Sequence, residues 1–199
     1  MLSYFILGAT FAFAAVVQPG PLQAYLISRA ASHGWRRTLP GAFAPLLSDG
    51  PIIAAAVLLL SGVPPWFSRS LRIAGGCFVL YLAWGACQSW RKGRPAGAAT
   101  GPAPRGLLEA TAINFLNPNP WISWSLVLCP LLLKAWREAP SHAGALLAGF
   151  YGVLVAGLAG MVVLCGMARE LGPGVSRALV GISAAALAVF GGYLLWTAI

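Results

Sequence analysis

Apolar residues run through this chain in long blocks, with most of the polar ones gathered between them. Six blocks are long enough to matter: 2–29, 39–61, 71–90, 107–133, 143–168 and 175–199. Roughly 20 predominantly apolar residues in a helix cross the hydrocarbon core of a bilayer, so each block predicts a membrane span. Two blocks carry an interruption that a continuous helix does not tolerate. Gln18-Pro19-Gly20-Pro21 stands inside the first, and Asn117-Pro118-Asn119-Pro120 inside the fourth. Proline lacks the backbone donor and clashes with the carbonyl four residues back, so both helices must open there. In hydrocarbon the freed polar groups have to lie against protein or water, and breaks of this kind line cavities. The two breaks lie 99 positions apart in a chain of 199 residues, Pro19 matching Pro118 and Pro21 matching Pro120. Such a pair of interrupted segments, one in each half, points to a transporter binding site.

The halves are joined by a stretch of different character. Residues 91–106 read RKGRPAGAATGPAPRG, basic and rich in Gly, Pro and Ala, with no periodicity. This predicts a flexible cytoplasmic linker between a first three-helix repeat, 1–90, and a second, 107–199. Three spans on each side make the second repeat enter the membrane in the opposite orientation. Gly85 preceding Trp90 by five, as Gly191 precedes Trp196, is a minor echo of the same repeat. The expected fold is an all-α integral membrane protein: six transmembrane helices as two inverted three-helix repeats, the first helix of each broken by a proline motif.

Composition agrees. Hydrophobic residues make up 59% and charged ones only 9% of the chain, against roughly 25% charged in soluble domains. The first block has no basic residue before it and no cleavage pattern, so it is not read as a removed signal peptide. The net charge of +9 is spread over short loops rather than gathered into a nucleic-acid patch. With six spans, one face receives Arg29, Arg36, Arg37, Arg91, Lys92, Arg94, Arg105, Arg169 and Arg177, and the other Arg69, Arg72, Lys134 and Arg137. Nine against four places the first set in the cytoplasm and both termini outside. Cys77, Cys87, Cys129 and Cys165 stand singly within apolar blocks, and His33 and His142 fall in predicted loops. They give no metal-ligand spacing, so no metal site is expected. Neither a catalytic triad, a phosphate loop nor a cofactor fingerprint is present, so no cofactor is expected and the chain does not read as an enzyme.

The candidate chemistry is sparse and therefore informative. Asp49 is the one charged residue well inside a block, twelve positions from Arg37 and twelve from Ser61, or ~18 Å of helix from each. A charge at the midplane costs about 2.5–3.5 kcal/mol on insertion scales, so Asp49 must face protein or water. Two readings follow: it caps backbone freed by Pro45 and Pro51, or it binds a cation or proton. Glu109, at the cytoplasmic start of the fourth span, compensates the helix dipole and reaches Arg105 at i−4. Asn114 and Asn117 share a face just before the second break, while Trp121 and Trp124 after it read as packing or lipid contacts, with a pocket wall as the second reading. Trp35 beside Arg36 and Arg37 reads as an interfacial lipid anchor. Gly144, Ala148, Gly152, Ala156 and Gly160 form a small-residue stripe in the fifth span, which allows close helix packing within the chain or in a homodimer.

Helices restarting after Pro21 and Pro120 would bring two N-termini together from opposite sides, a receptor for a carboxylate. Open carbonyls before each break, with Asp49, would take an ammonium group. The expected ligand is a zwitterion such as an amino acid.

Gln18-Pro19-Gly20-Pro21, His33-Gly34-Trp35-Arg36-Arg37, Leu47-Ser48-Asp49-Gly50, Leu80-Tyr81-Leu82-Ala83-Trp84-Gly85 and Asn114-Phe115-Leu116-Asn117-Pro118 resemble the LysE/RhtB superfamily over nearly the whole chain. The resemblance implies a six-span secondary exporter of basic or small neutral amino acids in the bacterial inner membrane, driven by the proton gradient. By it, Gln18, Pro19, Gly20, Pro21, Asp49, Asn114, Asn117, Pro118, Asn119 and Pro120 fall on the transport path, with Asp49 as the proton-coupling residue. Much of the family lacks the Asp49-Gly50-Pro51 sequence as it stands here, and a proline just after the aspartate would reshape the pocket and change the substrate. Export of a metal cation is the alternative, though it would need several converging carboxylates or thiolates. A thiol-redox carrier would need a cysteine beside each break, and Cys129 lies nine residues past Pro120.

Overall fold

The computed structural model describes residues 1–18, 20–58, 65–91, 103–168 and 172–198. Pro19, the end of the second block and most of the 91–106 linker lie outside the described residues. Within them the chain is helical: α1 (Leu2–Val17), α2 (Pro21–His33), α3 (Trp35–Thr38), α4 (Ala44–Leu58), α5 (Pro65–Arg91), α6 (Ala103–Leu116), α7 (Pro118–Ser123), α8 (Cys129–Glu138), α9 (Pro140–Ala168) and α10 (Pro173–Trp196). A 3-10 turn, Leu39–Phe43, carries α3 into α4, and a π-helical turn, Trp124–Leu128, carries α7 into α8.

Four described stretches are long and apolar enough to cross a membrane: 35–57, 69–88, 140–168 and 174–196. A fifth arises if α1 and α2, whose axes differ by 63°, count as one broken span. The fourth block is not one helix. It stops at Leu116, and its apolar part, 106–116, is too short alone to span. His33 and His142 are helical, at the end of α2 and in the first turn of α9, not in loops.

Two groups of polar and aromatic contacts mark the two ends of the helix assembly. At one, Tyr4 donates to Glu138 Oε2 at 2.8 Å, and Arg72 Nη1 donates to Thr197 O at 2.8 Å. The Tyr4 hydroxyl holds the Glu138 carboxyl below its usual value by stabilising the charged form. At the other end, Ser176 Oγ donates to Ala31 O at 2.9 Å, Arg177 lies 5.6 Å over the Trp90 ring, and Trp35 packs against Gly166. Thus α5 and α10 run antiparallel.

Two glycine pairs set how closely these helices approach. A Cβ at Gly8 would stand 2.1 Å from Leu146 O, and one at Gly149 2.1 Å from Phe5 O, so α1 and α9 meet backbone to backbone. Gly76 and Gly191 do the same reciprocally for α5 and α10, each 3.1 Å from the other's carbonyl by this measure. A Cβ at Gly85 would stand more than 4 Å from any of its neighbours, so the Gly85–Gly191 echo links residues in different settings. The α9 stripe of Gly144, Ala148, Gly152, Ala156 and Gly160 is exposed rather than packed against a described neighbour. The inward face of α9 is Ala143, Leu146, Gly149, Phe150, Leu154, Leu158, Val162 and Gly166, its bulky side chains filling the core and its two glycines standing where another backbone comes close.

Candidate functional site

The two breaks have nearly the same backbone. Gln18 sits at φ −65°, ψ 119° and Asn117 at φ −76°, ψ 124°, each an extended residue closing one helix before a proline-led restart. In an unbroken helix the residue 19 N–H would bond Ala15 O, and proline has none. Gln23 fills that role, its Nε2 donating to Ala15 O at 2.9 Å. At the second break Trp121 Nε1 donates to Phe115 O at 2.7 Å, because the N–H of Asn119, which would have served it, is held by Asn117 Oδ1 at 3.1 Å. Side chains beyond each break thus satisfy a carbonyl before it. Each of these two carbonyls already accepts one side-chain donor, where open carbonyls were expected.

The restarts also differ in what they offer. In α2 the first-turn N–H groups of Leu22 and Gln23 have no carbonyl partner within the helix. In α7, Pro118 and Pro120 have no N–H and that of Asn119 is capped. Of the two N-termini, the one at α2 therefore has donors to give an anion.

Both breaks open onto one cavity of about 280 Å³. Its lining includes Gln18, Gly20, Asp49, Asn114, Asn117, Asn119 and Pro120 of the expected site. Pro21 and Pro118 are buried at helix starts and do not line it. Gln23, Ser123 and Trp124 add polar atoms, while Phe11, Leu22, Phe150 and Leu154 supply apolar wall.

Asp49, on α4, is 2% exposed at the centre of a side-chain network. Its Oδ1 accepts from Asn114 Nδ2 at 3.0 Å and Ser48 Oγ at 3.4 Å; its Oδ2 accepts from Trp124 Nε1 at 3.2 Å and Tyr151 OH at 3.4 Å. Asn114 Nδ2 also donates to Ser48 Oγ at 2.7 Å. These described donors are all side chains, so the carboxylate is not a cap for backbone freed by Pro45 and Pro51. They come from α4, α6, the π-helical turn and α9. Among the described residues no Lys or Arg pairs with Asp49. Nor do three His, Cys, Asp or Glu residues converge anywhere among them to hold a metal.

Tyr151 was not legible as a site residue, and Trp124 was singled out only as packing or a pocket wall. Trp124 is buried with its indole N–H turned to the carboxylate. A buried indole seeks an acceptor, and Asp49 is the carboxylate of the apolar blocks nearest the midplane; that pairing was the available signal. Gln23 is signalled by being a long amide donor one turn past a proline break. Glu109 pairs with Arg29 of α2, Nη1 to Oε2 at 3.1 Å, and the side chain of Arg105, its expected i−4 partner, lies outside what the structure describes.

The chain matches the family described as LysE type translocator over residues 13–198. It matches no curated protein and no solved structure. With its apolar spans and its central polar cavity between broken helices, the chain belongs to the LysE type translocator family of integral membrane transporters.

Proposed function

We propose that this protein is a secondary exporter of amino acids, basic or small neutral, across the bacterial inner membrane, with both termini periplasmic. The observation that carries the reading is the shared cavity. Two breaks 99 positions apart and the one deeply placed aspartate open onto the same 280 Å³ space, at the small end of ligand pockets, which start at about 300 Å³. The Leu22 and Gln23 N–H groups at the positive end of α2 receive the substrate carboxylate. Asp49 receives its ammonium group, and Asn114, Asn117 and Asn119 orient it.

Six spans in two inverted repeats fit the contacts. Residues 4, 72, 138 and 197 gather at one end, and residues 31, 35, 90, 166 and 177 at the other, as alternating crossings require. The packing of α1 on α9, matched by α6 on α4, fits the same symmetry.

Asp49 also serves as the proton site. A proton on its carboxyl removes acceptor capacity from Asn114 and Trp124, which flank the second break, and so loosens α6 and the π-helical turn from α4. Proton binding then changes access to the cavity. Asp49→Asn in proteoliposomes is the test. The variant should keep its helical content and lose efflux driven by an imposed pH gradient; gradient-driven efflux equal to wild type would reject the role.

A further inference from the structure

A second, larger hollow of about 660 Å³ lies between α2, α5, α6 and the middle of α10, with Tyr25, Ser28, Arg29, Trp84, Gln88 and Glu109 in its lining. Among its described lining residues it holds one charge of each sign, Arg29 and Glu109. Glu109 Oε2 accepts from the Tyr25 hydroxyl and from Arg29 Nη1 at 3.1 Å, and Arg29 Nη1 also donates to Tyr25 OH at 3.2 Å. Glu109 Oε1 takes part in none of these contacts, and its side chain keeps 35% exposure against 13% for Arg29. Arg29 is seated by a glycine: a Cβ at Gly106 would stand 2.6 Å from its Nε.

The hollow and the central cavity are neighbours along two helices. On α2, Leu22 lines the cavity and Tyr25 the hollow; on α6, Asn114 lines the cavity and Glu109 the hollow. At 1.5 Å per residue these separations are ~4.5 and ~7.5 Å. The Tyr25–Glu109–Arg29 bridge thus ties α2 to α6 at the wall between the two spaces.

We infer that this hollow is a second, inner binding site for the zwitterionic solute, loaded ahead of the central cavity, where the solute's carboxylate takes Arg29, its ammonium takes Glu109, and the contact bridging α2 to α6 opens as it does so. This rests on the amino-acid export reading. The chemistry matches on both ends: a guanidinium fork fits a carboxylate with two parallel hydrogen bonds, and its contact to Glu109 uses Nη1 alone. One internal ion pair is exchanged for two with the ligand, so neither the largely buried Arg29 nor Glu109 is left without a counter-charge when the pair parts.

Equilibrium binding of radiolabelled L-leucine and L-lysine, each alone, to the full chain in nanodiscs tests this by stoichiometry. For the amino acid bound, wild type should hold two molecules per chain, Asp49→Asn one and Glu109→Gln one. Arg29→Lys keeps the charge but loses the fork; it should weaken the inner site and spare the central one, which separates ligand binding from a merely structural ion pair. A single molecule per chain in wild type, lost in Asp49→Asn and kept in Glu109→Gln, would overturn the inner site and leave the export reading standing. Folded wild-type protein that binds neither probe would overturn both.

Discussion

At the scale of single residues, the breaks are stabilised by side chains that replace the missing backbone donors. Gln23 is the clearest case, its amide holding Ala15 O across the break. Gln23→Leu keeps the approximate volume and leaves that carbonyl unpaired, at a cost of about 1–3 kcal/mol. Unfolding in detergent should therefore shift to lower temperature, and an unchanged transition would show that Ala15 O finds another partner. The location of both breaks was legible because proline is a local signal: its missing N–H opens a helix wherever the rest of the chain goes. The partners of Asp49 were not. Trp124 and Tyr151 lie 75 and 102 positions away, and only tertiary packing aims them. Glu109 shows the same limit, since its contact with Arg29 joins residues 80 positions apart on two helices.

Between elements, glycine decides which helices touch, and the pattern of small residues alone does not say which glycines do so. The i+4 stripe on α9 was legible as a close-packing face, yet the residues that meet α1 are one position away, at Gly149. A helix with apolar residues all round has no polar face to mark its outside, so periodicity cannot tell the inward stripe from the outward one. Gly149→Ala forces its methyl against Phe5 O and should destabilise the protein by about 1–3 kcal/mol. Gly152→Ala, which meets open space, should stay within roughly 0.5 kcal/mol of wild type. Thermal unfolding of the two variants side by side checks this; equal effects would contradict the α1–α9 contact.

For the whole molecule, helical class and membrane residence were legible in composition and block length, because hydrocarbon admits few alternatives to helices. The fourth block, 107–133, was read as one span broken at its proline motif, and the helix does open at Asn117; what block length and hydropathy did not mark is the π-helical turn between α7 and α8. What the two halves build together is a polar cavity at their interface, and the account stands on a small zwitterion occupying it. Efflux from proteoliposomes preloaded with labelled basic, neutral or acidic amino acids, with and without an imposed pH gradient, tests that most directly. The account predicts gradient-stimulated efflux of basic or small neutral amino acids. No efflux of any amino acid from vesicles holding folded protein would contradict it.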